Sequence, residues 1–190
     1  LIFASNNEQK VLEIRSAAGG NFNIITLKEA GIDIDIPEPH DTLEANATEK
    51  SFTINRLTHQ DCFSEDSGLE VEALNGEPGV KSARYAGDER SFQANIDKVL
   101  EKLYGKENRK AKFRTVISLL LGGKEYLFEG VCEGSITKMQ SGTKGFGYDP
   151  IFMPDGSTKT FAEMSMEEKN IFSHRSKATT KLIDFLKQLH

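Results

Sequence analysis

Two long strand-like runs, Phe113 to Leu121 and Glu125 to Ile136, are separated by Gly122-Gly123, and this pairing constrains the fold more than any other feature of the chain. Adjacent glycines between apolar runs signal a hairpin, because the tight turns that match strand twist need positive φ at their central residues. An antiparallel pair is therefore expected in the middle of the chain. The ends read differently. Leu1-Ile2-Phe3-Ala4 predicts a buried strand running into Ser5-Asn6-Asn7, where Asn6 or Asn7 caps a helix carrying Val11, Ile14 and Ala18 at helical spacing.

A second strand is expected over residues 23 to 28, and Ile32-Asp33-Ile34-Asp35-Ile36 alternates with period two until Pro37 stops it. Asp41 with Glu44 resembles a capping box for a helix bearing Leu43, Ala47, Ile54 and Leu57 and ending near His59. Asp61 to Glu65 and Leu69 to Leu74 predict two short strands broken by a Glu65-Asp66-Ser67-Gly68 turn. The glycine-containing stretch from Asn75 to Arg90 reads as a long connector. Ile96, Val99, Leu100 and Leu103 form the stripe of a third helix closing at Gly105. Ser165 and Glu168 form another capping box, ahead of an amphipathic helix with Ala178, Leu182, Phe185, Leu186 and Leu189. Strand–helix alternation at the ends around a central meander predicts an α/β fold with a mixed sheet and flanking helices.

The 190 residues suit one domain, 1-190, with a core that needs no staples. A net charge of -5 argues against coating nucleic acid, since that binding draws on neutralised phosphates. The longest apolar run, Val116 to Leu121, is too short to span a bilayer, and the opening residues lack a charged leader segment, so a cytoplasmic protein is expected. Cys62 and Cys132 sit in strand-like runs, and with His40, His59, His174 and His190 scattered there is no zinc spacing; both thiols read as reduced core residues.

The glycine loop Gly142-Thr143-Lys144-Gly145-Phe146-Gly147-Tyr148-Asp149-Pro150 has the outer glycine spacing of a P-loop, but Tyr148-Asp149 replaces the required Lys and Ser or Thr. Carboxylates and cations beside loops remain. Glu65 and Asp66 end one predicted strand and Glu38 follows another; a hard cation such as Mg²⁺ takes one or two such carboxylates plus phosphate oxygens. Equally, Asp66 reads as the opening residue of an Asp-Ser-Gly turn. Lys10 lies one turn into the first helix, where backbone NH groups receive phosphate, although alone it, like Lys50, reads as a solvated cation. Lys169 through Ser173-His174-Arg175 places donors before the last helix, suited either to a purine keto oxygen or simply to a solvated helix start. Phe146 and Tyr148 either stack on a base or anchor the loop.

Taken in order, these residues resemble the inosine triphosphate pyrophosphatase family over nearly the whole chain. The likeness rests on Ala4-Ser5-Asn6-Asn7 with Lys10, Thr42 through Asn46-Ala47 to Lys50, Glu65-Asp66-Ser67-Gly68-Leu69, Pro78-Gly79-Val80 through Ser82-Ala83-Arg84-Tyr85, Gly145 to Pro150, and Glu168-Lys169 with Ser173-His174-Arg175. The resemblance implies hydrolysis of ITP, dITP and XTP to the monophosphate and pyrophosphate with Mg²⁺, in an elongated two-lobed homodimer with a central cleft. It implies phosphate contacts at Ser5, Asn7, Lys10 and Lys50, further substrate contacts at Asn6 and Ser67, metal carboxylates at Glu38 and Asp66, and Asp66 as general base, with Lys10 and Lys50 also in the catalytic set. Base and sugar recognition falls to Phe146, Gly147, Tyr148, Asp149, Lys169, Ser173, His174 and Arg175.

This chain departs from the common pattern at Ser5-Asn6, where many members have Thr-Gly, at Glu65, which lengthens the first carboxylate of Asp-Asp-Ser-Gly, at Ala45, and at Lys81, where an aromatic is frequent. Two competing classes are the related septum-formation-inhibitor pyrophosphatases, which prefer pyrimidine or modified nucleotides, and a non-catalytic nucleotide sensor or RNA-binding module. The Ser173-His174-Arg175 segment favours the purine enzyme over the first, and the acidic balance disfavours the second.

Overall fold

The structure is a computed structural model describing residues 1–20 and 22–189; His190 lies outside the described residues. In chain order it contains β1 (Ile2–Phe3), α1 (Glu8–Ala18), β2 (Ile25–Thr26), α2 (Leu43–Thr58), β3 (Cys62–Val71), β4 (Pro78–Gly79), α3 (Phe92–Lys102), β5 (Lys110–Leu121), β6 (Lys124–Ile136), β7 (Phe152–Pro154), α4 (Met166–Phe172) and α5 (His174–Lys187). The sheet is mixed, in the order β2-β1-β3-β5-β6-β7 with β4 on β3. β1 runs parallel to β2 and β3, while β4 and β7 lie antiparallel to β3 and β6. The expected central hairpin is present: Gly122 and Gly123 both have positive φ, and two residues joining neighbouring strands permit only an antiparallel pair.

Two compact units divide the chain, one of Leu1–Asp66, Thr115–Gly130 and His174–His190, the other of Ser67–Arg114 and Val131–Ser173. In the first, period-two alternation sends β1 and β3 side chains into two cores. Phe3 and Phe63 stack at 4.7 Å between centroids and join Val11, Ile14, Leu182 and Leu186 of the packed helices α1 and α5. Ile2, Ala4 and Cys62 instead meet Ile54 of α2 and Leu120. Removing the fully buried Phe63 ring costs about 3–5 kcal/mol by the usual large-to-small rule. In the second unit Leu69, Val71, Phe113, Phe152 and Phe161 bury against the α3 stripe of Ile96, Val99 and Leu103.

Four expectations are corrected. β3 runs unbroken through Glu65-Asp66-Ser67-Gly68, so Asp66 does not open a turn; Gly68 serves close approach instead, since a Cβ there would lie 2.5 Å from the Gly79 carbonyl oxygen. The alternation of Ile32, Ile34 and Ile36 is real, each packing partly buried against the α2-side core, but this segment has no strand partner and belongs to no ladder. Thr42, not Asp41, caps α2, its side chain accepting from Ala45 N. The predicted last helix is two: Ser165 and Glu168 form a capping box for α4, Ser173 ends it in extended geometry, and α5 begins at His174.

Candidate functional site

Midway along β3, at the last residues it gives to the first unit, alternation decides which cation each carboxylate meets. Cys62, Ser64 and Asp66 point toward α2: the Cys62 thiol donates to Ser51 O at 3.2 Å, the Ser64 hydroxyl to Ala47 O at 2.5 Å, and Lys50 Nζ donates to Asp66 Oδ1 at 3.0 Å. The same ammonium donates to Glu38 Oε1 at 2.5 Å, from the extended segment before α2. Phe63 and Glu65 face α1 and α5. Glu65 pairs with Lys10 of α1 and, through Oε2 at 3.3 Å, with Arg175 Nε of α5; Arg175 Nη1 also donates to Glu13 of α1. Glu13, Lys50, Glu65, Asp66 and Arg175 are all at most 6 % exposed.

Three cations (Lys10, Lys50, Arg175) thus meet four carboxylates (Glu13, Glu38, Glu65, Asp66), and the uncompensated charge shows in the titration. Burial alone would raise Glu65, but Lys10, Arg175 and Lys50 outweigh it and hold its carboxyl well below the usual range. Glu38 is likewise lowered, burial being outweighed by Lys50. Lys50 keeps its proton against desolvation because Asp66, Glu38 and Glu65 surround it. Asp66 is the exception: burial, with repulsion from Glu38 and Glu65, outweighs Lys50 and Lys10 and pushes it up to about 6.

The loop before α1 is built by its own side chains. Asn7 caps the helix, its Oδ1 accepting from Gln9 N and Lys10 N at 3.1 Å each, which fixes the backbone from which Lys10 extends. The Ser5 hydroxyl accepts from Asn7 N at 3.1 Å, and Asn6 Nδ2 donates to Ile34 O at 3.1 Å. Ser67 follows Asp66 in β3 as the first residue of the second unit.

In the second unit Asp149 organises the glycine loop. Its Oδ2 accepts from Phe146 N at 3.0 Å and from Lys169 Nζ at 2.6 Å, an ion pair whose side chains are 4% and 6% exposed. Gly145 has φ 72, and a Cβ there would lie 2.0 Å from that same carboxylate oxygen, so the loop closes over Asp149 only with glycine. Lys169 Nζ also lies 5.5 Å from the centroid of the half-buried Phe146 ring. Gly147 has φ 59 and open space at its Cβ position. The Tyr148 ring is buried in the core of the second unit and its hydroxyl donates to Ser82 O at 2.7 Å, which anchors the loop. Ser173 caps the C-terminus of α4 with its backbone NH on Lys169 O.

Arg175 and His174 therefore lie in the first turn of α5 within the first unit, and the polar partners of Arg175 include Glu13 and Glu65. Sequence reasoning missed Glu13. The available signal was its i+3 spacing from Lys10 next to the Val11–Ile14 stripe, where a buried carboxylate needs a cation brought from elsewhere.

The donor set suits a hard divalent cation. Glu38 Oε1 and Asp66 Oδ1 reach one ammonium, so two oxygen donors converge on a single point, and the set is one negative charge in excess. Among the described residues no group of three or more His, Cys, Asp and Glu side chains is placed to hold a metal. Two carboxylates leave the remaining positions around such a cation to phosphate and water.

Fold and site together define an α/β protein with a buried cluster of paired lysine, arginine and carboxylate side chains along β3. The profile of the Ham1 family matches residues 1–185. Over 187 residues, covering 98% of both chains, the sequence is 51% identical to the dITP/XTP pyrophosphatase of Flavobacterium psychrophilum. It is 49% identical over 187 residues to the protein of that name from Porphyromonas gingivalis, covering 98% of this chain and 96% of that one. Among solved structures, the Staphylococcus aureus Ham1 protein matches with a TM-score of 0.89 at 39% identity, covering 100% of this chain and 98% of that one. The nucleoside-triphosphatase / dITP/XTP pyrophosphatase of Mycobacterium abscessus matches with a TM-score of 0.76 at 36% identity, covering 95% and 97%. The chain belongs to the Ham1 family.

Proposed function

We propose that this protein hydrolyses nonstandard purine nucleoside triphosphates (ITP, dITP and XTP) to the monophosphate and pyrophosphate, clearing them from the nucleotide pool. The observation that carries this reading is the Lys50 ammonium shared by Glu38 and Asp66, with the Lys10–Glu65 pair on the other side of the same strand. Relatives of this length and similarity carry the name dITP/XTP pyrophosphatase, which supports the same substrates here.

Cleaving the bond between α- and β-phosphate by water adds one oxygen to the nucleoside monophosphate and releases pyrophosphate. Charge is spread over phosphate oxygens throughout, so positioning and electrostatics do most of the catalysis. Lys10 and Lys50 hold the phosphate tail, with Ser5, Asn6, Asn7 and Ser67 contributing hydroxyl, amide and backbone donors. Asp66, held beside Lys50 at the same point, orients the attacking water and receives its proton. Glu38 and Asp66 would hold Mg²⁺, which supplies Lewis acidity toward the phosphates. Phe146 stacks on the base and Lys169, positioned by Asp149, donates to the six-keto oxygen, with Gly147, Ser173, His174 and Arg175 shaping the recognition set. A site committed to such polar pairing rejects a mismatched analogue such as adenine by roughly 10⁴-fold.

The reading extends to one catalytic domain over 1-190, working as a cytoplasmic homodimer. Consistent with a non-membrane role, no helix among the described residues is long and apolar enough to cross a membrane. The test is a panel of ITP, dITP, XTP, GTP, ATP and dTTP compared by kcat/KM with pyrophosphate as the measured product. Preference for the first three supports the proposal; equal turnover of all six, or orthophosphate in place of pyrophosphate, overturns it.

A further inference from the structure

α3 carries an apolar stripe whose Ile96, Val99 and Leu103 are buried in the core of the second unit. Phe92 belongs to the same stripe, one turn before Ile96, yet it is 49% exposed. Exposure alone would not single it out, since isolated surface aromatics are common; what does is its place beside the glycine loop. Its position is built: Arg90 turns the chain at φ 53, Ser91 caps the helix by accepting from Ala94 N at 3.2 Å, and Phe92 is the first helical residue. Its ring centroid lies 6.1 Å from that of Phe146, inclined at 51°, so the two rings form an open angle and not a stack. Phe146 in turn is held by Asp149 and carries the Lys169 ammonium 5.5 Å from its ring centroid.

We infer that Phe92 is a second aromatic wall of the base site, meeting the rim of a bicyclic base stacked on Phe146 and so favouring purines over the smaller pyrimidines. This rests on the proposed base role of Phe146. Contact with an exposed phenyl edge adds apolar burial in proportion to base area, which a monocyclic base supplies poorly.

The chain contains no tryptophan, so Phe92→Trp and Phe146→Trp each place a single reporter in the site. Inosine monophosphate is expected to quench both and pyrophosphate alone neither. Phe92→Ala is expected to raise KM for dITP about 5- to 10-fold with kcat within twofold, and Phe92→Tyr to restore KM. Quenching of Phe146→Trp without Phe92→Trp, or an unchanged KM in Phe92→Ala, overturns the wall while leaving the Phe146 site standing. Absence of quenching in both variants removes the base site itself and the wall with it.

Discussion

Glu65 and Asp66 are consecutive residues of β3, and their carboxylates leave the strand on opposite sides, Glu65 to Lys10 and Arg175, Asp66 to Lys50. One step along the backbone separates a carboxylate held ionised by the surrounding cations from one that burial drives toward protonation. The first is anchored by its ion pairs and the second is the base proposed above, a division that yields opposite expectations for their mutants.

Asp66→Asn should lower turnover at least 10³-fold while leaving the fold intact and somewhat more stable. A folded-state pKa raised to about 6 means that Asp66 favours the native state below its ordinary value of 3.8 and loses that advantage as pH rises through about 6. The neutral amide removes the slope, with a gain on the order of 1–3 kcal/mol at neutral pH. Urea unfolding at pH 5 and 8 with a chelator present measures it. A destabilised variant, or one with near-normal rates in excess Mg²⁺, contradicts the assignment.

Arg175→Ala should destabilise by about 3–5 kcal/mol, because it removes the guanidinium that the buried carboxylates of Glu13 and Glu65 share. Adding Glu13→Gln should recover part of that loss, a coupling that a double-mutant cycle reads directly. Selectivity for ITP over ATP should also erode if Arg175 assists recognition. A selectivity change in Arg175→Ala that Glu13→Gln does not reverse would locate the effect in substrate contact and not in strand-end packing.

Asp149→Ala removes the acceptor for both Phe146 N and Lys169 Nζ. The glycine loop should loosen, raising KM for dITP at least 10-fold while inhibition by pyrophosphate, which lacks a base, stays within twofold. Equal weakening of both ligands would show that Asp149 serves the phosphate site.

Cys62 is fully buried, and burial together with the charge of Asp61 pushes its thiol up to about 12. Because the folded value lies above the ordinary 9.0, this group contributes stability that is fully present below pH 9 and is lost as pH rises toward 12. Native protein should therefore resist alkylation at pH 8.5, and labelling of Cys62 should track global unfolding in urea. Rapid native labelling, located by peptide mapping, would overturn this.

Much of the fold was legible because it is local. The Gly122-Gly123 hairpin, the α3 stripe and the Ser165–Glu168 box each follow from residues a few positions apart, whose turn, period or cap depends on nothing distant. The errors arose where long-range pairing overrode a local cue: Gly68 read as a turn but admits the Gly79 backbone, and Ile32 to Ile36 alternated without a neighbouring strand.

The sequence by itself settled the residue types, the order of the motifs and the kinship they carry, since these are properties of the covalent chain. Only the tertiary structure decided which charges meet. Lys10 and Glu65 are 55 positions apart and Glu13 and Arg175 are 162. No local rule relates them, because their encounter depends on α1 and α5 packing over the face of β3 that carries Phe63. The same packing decided that Glu13 is an ion-pair partner and that Asp66 shares its cation with Glu38: charge balance in a buried cluster is a property of the whole assembly of side chains and not of any segment.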